Sequence, residues 1–311
     1  MNQNAKPKPA LALIRQTDGE ERAAESAPRH VVLMGWILGF LFSVVLTSAA
    51  FADDQSLITS PATPAPGNPE GAFRILFIGD SITGYGVDAP NPKVTHWFHG
   101  PAMAASTVSN DYPHRLAALI QPTLGGQKVE VCYPLFTPDF VAVNAKYGNG
   151  SAGAKAAVID ASRSIQPNLV VIQLGEHENG ANGFKASRAN YEKLFASLDS
   201  WTPKPMIICT GRWSPRTLQP GESTTEYTGS QAVIAECDSM INQVCQEHGA
   251  LFVSVADLAL DPSCRGSSLG WENNAAGATW HPNDKGHQGY ANHIFAAYEK
   301  ARAASSASTS K

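Results

Sequence analysis

The chain has 311 residues, of which 43% are hydrophobic, 16% charged and 8% aromatic, and its formal net charge is -4. This apolar share is ordinary for a globular core and excludes a wholly disordered chain. With 23 Lys+Arg against 27 Asp+Glu and no basic block, there is no electrostatic footprint for a nucleic-acid partner.

Residues 1–29 are polar and nearly charge-balanced, and residues 31–50 are apolar without a charge. Such a run serves as a signal h-region or as a single membrane span. Ala50 and Ala52 put small residues where a signal peptidase reads, and Asp53-Asp54 follows as a polar start. The sequence therefore predicts a signal peptide over residues 1–52, with a retained N-terminal anchor as the alternative; either exports the rest, and only the anchor brings a membrane as partner. Residues 53–71 carry Pro61, Pro64, Pro66 and Pro69 among Thr, Ser and Ala, the composition of an unpacked linker. Residues 72–302 make one domain, and residues 303–311 read as a disordered Ser/Ala tail.

Within the domain, short apolar runs at residues 73–78, 129–133, 169–174, 206–209 and 251–255 predict buried strands. Between and after them, residues 112–120, 187–198, 231–248 and 286–302 space their apolar side chains as helices do. Alternation of this kind predicts an α/β fold with a parallel sheet of about five strands and helices on both faces. Ligands bind at the carboxyl ends of such strands, so the residues following each run are the ones to inspect.

The first run ends in Gly79-Asp80-Ser81-Ile82-Thr83. A serine at a tight turn after a strand, opening a short helix, can attack an acyl carbon while its own amide stabilises the oxyanion. The bland alternative is that Asp80 and Ser81 merely cap a helix. Trp280-His281-Pro282-Asn283 precedes the last helix, which lets His281 return to the same end of the sheet as a general base for Ser81. A loop histidine by itself is more often a surface residue; the pairing with Ser81 carries the weight.

In these residues the sequence resembles the SGNH/GDSL hydrolase superfamily. Residues 77–83 resemble its nucleophile block, residues 281–287 its histidine block, and Gly175-Glu176-His177-Glu178-Asn179 stands where its Gly-x-Asn-Asp block belongs. The resemblance implies a three-layer α/β/α sandwich and ester hydrolysis through an acyl-serine intermediate. It also makes His177 or Asn179 an oxyanion donor beside the Ser81 amide, with Asp80, Glu176 and Glu178 in supporting roles. Residues 100–106, followed by Asp111-Tyr112, resemble an insertion of some bacterial members. Three positions depart from the pattern. Ala278 stands where the acid partner of the histidine belongs, His177 replaces the oxyanion asparagine, and no glycine donor follows the second strand. Glu176, Glu178, Glu272 or a backbone carbonyl could orient His281 instead, or the pair could work as a dyad.

Other motifs carry less. Residues 266–270 match G-x-S-x-G but have loop sequence on both sides where the hydrolase elbow needs a strand and a helix. Residues 148–153 match G-x-G-x-x-G without the strand that dinucleotide binding requires. The nine histidines form no metal-ligand spacing, although His287 and His293 lie on the last helix, where they are expected to cap it or face solvent. No metal or cofactor is expected. The five cysteines, Cys132, Cys209, Cys237, Cys245 and Cys264, are odd in number and irregularly spaced; an oxidising compartment would permit disulfides, and burial as free thiols is the plain alternative. Trp97, Trp213, Trp271 and Trp280, with Arg212, are predicted to fall in loops after strands, where aromatics stack on sugars and Arg holds carboxylates; the plain alternative is that half of them only pack the loops onto the core.

Together these readings predict an exported serine esterase that hydrolyses small-acyl esters, O-acetyl groups on carbohydrate in particular. A catalytically degenerate carbohydrate-binding module of the same fold, or an O-acyltransferase, would share the sequence pattern.

Overall fold

The computed structural model describes residues 57–60, 64–84, 102, 104–134, 159–176, 184–215, 231–266 and 280–309. At its centre is strand β2 (Phe73–Gly79), buried from Arg74 onward. β3 (Val129–Cys132) and β4 (Leu169–Gln173) flank it, β5 (Met206–Thr210) and β6 (Leu251–Val253) continue beyond β4, and β1 (Ile58–Thr59) lies outside β3. The order is β1-β3-β2-β4-β5-β6 and every pairing is parallel. The chain goes to one side of β2 to form β3 and then crosses to the other to form β4. The switch point of the sheet therefore lies between β2 and β4, where open α/β sheets place their sites.

Among the described residues, the helices α1 (Tyr112–Ile120), α2 (Lys185–Asp199), α3 (Gln231–Glu247), α4 (Ala256–Leu260) and α5 (Asp284–Thr309) cover the sheet. Side chains alternate across a strand, which divides the apolar residues between two cores. Ile75 and Phe77 of β2 pack with Val131, Val171, Leu116 of α1 and Ile294 of α5. Leu76 and Ile78 pack on the other face with Ile172, Leu194 of α2 and Ile241 of α3. Three α/β/α layers result, and full burial of each such aliphatic side chain stabilises by about 1.5–3 kcal/mol.

Expectation and structure differ at both ends of the domain. The segment read as an unpacked linker contributes a sixth strand: Ile58 and Thr59 pair in register with Val129 and Glu130. The segment is also tied further along, where the Gly67 amide donates to the Ser164 carbonyl and Arg74 Nη1 donates to the carbonyls of Ala65 and Ile165 at 2.8 and 2.7 Å. Proline is compatible with a sheet edge, which is how a Pro-rich stretch can still dock. At the other end α5 runs to Thr309, past residue 303 where a disordered tail was expected, in keeping with the high helix propensity of its alanines. His287, expected to cap or face solvent, is instead fully buried with its ring stacked on Tyr112.

All five cysteines are buried, and none of them is in a disulfide. All described residues belong to one compact unit, Phe51–Lys311. Among the described residues no helix is long and apolar enough to cross a membrane, and the run at residues 31–50 lies outside them.

Candidate active site

Gly79 closes β2 because nothing larger fits: a Cβ there would collide with the Thr83 hydroxyl and the Gln173 side chain. The Asp80 carbonyl then accepts from the amides of Thr83 and Gly84 at 2.9 and 2.8 Å. Ser81 thus sits on a helical turn within residues 80–84. Beneath the turn Thr83 Oγ1 donates to Gln173 Oε1 at 2.8 Å and lies 2.6 Å from Tyr112 Oη. Neither Gln173 nor Tyr112 stood out in the sequence as a site residue. A glutamine closing an otherwise apolar strand was the available signal, since a fully buried amide requires partners.

His281 is held by the loop ahead of α5. Its carbonyl accepts from the Gly266 amide at 3.1 Å, and Arg265 and Pro282 form an antiparallel bridge. Asn283 Nδ2 donates to the carbonyls of Ser263 and Arg265, both at 3.0 Å, while its Oδ1 accepts from the Gly286 amide at 3.0 Å and so caps α5. The Trp213 indole N–H donates to the Trp280 carbonyl at 2.7 Å, and the Trp280 ring meets the imidazole edge-on at 4.9 Å. These restraints place His281 Nε2 2.8 Å from Ser81 Oγ, although 200 positions separate the two residues. With Nε2 accepting the serine proton, Nδ1 carries the ring proton.

Two carboxyls lie behind the serine. Asp80 and Glu176 are 2% and 1% exposed and share a side-chain hydrogen bond. Gly175, just before Glu176, takes φ 134°, a conformation that L side chains rarely adopt. Asp80 Oδ1 accepts from the Ile82 amide at 3.3 Å, and Glu176 Oε1 accepts from the Trp213 amide at 3.0 Å. Burial raises both acids, Asp80 to about 6 and Glu176 well above its ordinary value, with the neighbouring Asp80 charge adding to the effect on Glu176.

Other residues expected at the site take different positions. Trp213 is fully buried in the α1/α5 core with its ring 5.7 Å from that of Tyr290, so it supports the histidine loop and offers no face to a sugar. Trp280 is 6% exposed and packs on His281. Arg212 is 2% exposed; its amide donates to Asp238 at 2.8 Å and its guanidinium to the Glu176 carbonyl at 3.3 Å, so it stands behind the site rather than in it. Trp97, His177, Glu178, Asn179, Trp271, Glu272 and Ala278 lie outside the described residues, as do the 148–153 motif and most of the 266–270 motif. The described part of the predicted insertion docks on α5, where the Ser106 amide and hydroxyl donate to Asp284 at 2.7 and 2.5 Å. No group of three or more His, Cys, Asp or Glu among the described residues is placed to hold a metal ion.

The model of the GDSL-like lipase/acylhydrolase family matches residues 77–288, from β2 through the first turns of α5. The chain belongs to this GDSL-like family. The matched span contains Ser81, Glu176 and His281. Among solved structures, a carbohydrate acetylesterase family member from Sinorhizobium meliloti is 13% identical with a TM-score of 0.46, covering 73% of this chain and 98% of that one. A catalytic mutant of an acetylxylan esterase from Geobacillus stearothermophilus is 16% identical with a TM-score of 0.41, covering 71% of this chain and 92% of that one. An alpha/beta hydrolase enzyme from the metagenome of Lake Arreo, Spain, is 20% identical with a TM-score of 0.40, covering 73% and 95%. At such identities and scores these likenesses add nothing to what the GDSL-like family match shows. No curated protein matches the sequence.

Proposed function

We propose that this GDSL-like protein is an exported serine esterase that removes small acyl groups, O-acetyl in particular, from carbohydrate. The observation that carries the chemistry is the 2.8 Å contact between Ser81 Oγ and His281 Nε2 at the switch point of the sheet. Ser81 Oγ attacks the ester carbonyl as its proton passes to Nε2, and His281 then protonates the leaving alcohol. Water enters by the same route in reverse, releasing the acid and restoring the serine. The Ser81 amide is one oxyanion donor, and His177 or Asn179 is proposed as another. The apolar run at residues 31–50 with its small-residue ending supports export, and Trp97, which follows β2 in the sequence, is the proposed sugar-stacking residue. A serine-directed phosphonate, read by intact mass, should form one adduct on folded wild-type protein and none on Ser81→Ala. Turnover of p-nitrophenyl acetate should fall by roughly 10³-fold or more in the same variant. Undiminished turnover would remove Ser81 from the mechanism.

A further inference from the structure

Starting at the serine, a closed ring of contacts can be followed through the site. The Ser81 turn is joined to Asp80, whose Oδ1 holds the Ile82 amide. Asp80 is hydrogen-bonded to Glu176, Glu176 Oε1 to the Trp213 amide, the Trp213 indole to the Trp280 carbonyl, and His281 back to Ser81. Glu176 joins Asp80 of the nucleophile turn to Trp213, which in turn holds the histidine loop, so it links the two halves behind the Ser81–His281 contact.

The protonation state of Glu176 follows from its partners. Two carboxylates cannot hydrogen-bond to each other, so one of the pair carries a proton. No N–H or O–H among the described residues donates to Glu176 Oε2, although this oxygen is buried. An anion there would bear the full cost of desolvation, whereas a protonated Oε2 donates to Asp80 and satisfies both acids. Asp80 already receives the Ile82 amide and is the better seat for the charge. The groups facing Glu176 do not alter this assignment. Among the described residues they are Asp80 after β2, Arg212 after β5, Tyr112 on α1, Tyr191 on α2 and Tyr290 on α5, with Asp238 of α3 behind Arg212. The Arg212 guanidinium donates to the Glu176 carbonyl at 3.3 Å.

We propose that Glu176 is a positioning residue that works as a neutral acid, donating to Asp80 and accepting from Trp213, and so fixes the Ser81 turn and the His281 loop in register. It is not the anionic partner of His281. This inference rests on the proposed Ser81–His281 chemistry, and its test is separable from that of the chemistry.

Glutamine reproduces both hydrogen bonds without an ionisable proton, and alanine reproduces neither. The rate of Ser81 phosphonylation needs no natural substrate, so it is followed with p-nitrophenyl acetate kinetics across pH in full-length wild type, Glu176→Ala and Glu176→Gln. Loss of register should lower kcat and the phosphonylation rate of Glu176→Ala by about 10–100-fold with KM little changed. Glutamine should restore most of that loss and abolish the fall in kcat/KM that deprotonation of the pair causes in wild type at alkaline pH. A fall in Glu176→Gln as deep as in Glu176→Ala, approaching the ~10⁴-fold cost of neutralising a triad acid, would overturn the proposal in favour of an anionic role. So would a Glu176→Ala protein with wild-type kcat, and thermal melts identify a variant whose loss is only unfolding. Absence of a Ser81 adduct in the wild type would instead defeat the esterase reading, whatever the Glu176 variants do.

Discussion

Asp80 and Glu176 are acids that solvent does not reach, and this makes folding sensitive to pH on the alkaline side. Their ordinary values are 3.8 and 4.5, while in the folded protein burial raises Asp80 to about 6 and Glu176 well above its ordinary value. The folded chain then binds more protons than the unfolded chain across that interval, so stability falls as pH increases. The contribution of the pair is complete below the unfolded values and is lost progressively as pH rises through about 6 and beyond. Glu176→Gln removes the shared proton, so its melting temperature relative to wild type should climb as pH rises from the unfolded values through about 6 and beyond. Thermal melts of both proteins over that range provide the check, and a constant offset would contradict the linkage. The pair also shows where residue-level reading of the sequence stopped. Ser81 and His281 were legible because their chemistry is carried by short blocks, whereas the contact of Glu176 with Asp80 needs three-dimensional proximity, which no spacing encodes.

Among the elements, the strands buried on both faces were the most legible: the runs predicting β2, β4 and β5 differ from the observed limits by a residue at most. Helix α1 was read residue for residue, its Asp111 accepting from the His114 amide at 2.8 Å as a cap of that type does. β1 was not legible, because two residues before a proline carry no period and become a strand only by pairing with β3. The loop before α5 was half legible. Its histidine was visible, but the double use of Asn283, which caps α5 and holds the carbonyls of Ser263 and Arg265, needs three-dimensional proximity. Asn283→Ala should cost about 1 kcal/mol of stability as a lost cap. Because the same side chain anchors the His281 loop, kcat should fall by more than that small stability loss implies, through misplacement of the imidazole. Denaturant melts and steady-state kinetics on the one variant separate the two effects; unchanged kcat would leave Asn283 as a cap only.

For the molecule as a whole, the same crossing that divides the sheet into two directions brings distant chain segments into one site: the ends of β2 and β4 lie side by side, and the terminal helix returns over them. Arg74 links the layers away from that end, donating from Nε to Glu130 of β3 at 2.7 Å while its Nη1 holds the Ala65 and Ile165 carbonyls. A fully buried guanidinium is tolerated because it is paired and hydrogen-bonded. The buried thiols are distributed just as widely: Cys132 on β3, Cys209 on β5, Cys237 and Cys245 on α3, and Cys264 beside the histidine loop. Burial pushes Cys132 up to about 12 and raises Cys209 and Cys264, so at these three the reactive thiolate is scarce as well as inaccessible, and the other two are inaccessible. The native protein should therefore be silent toward an alkylating reagent such as iodoacetamide and take up five labels in denaturant, as counted by mass. Brief exposure under native conditions would then record each transient opening as a permanent mark, and peptide mapping of the marks would show which layer of the molecule breathes first.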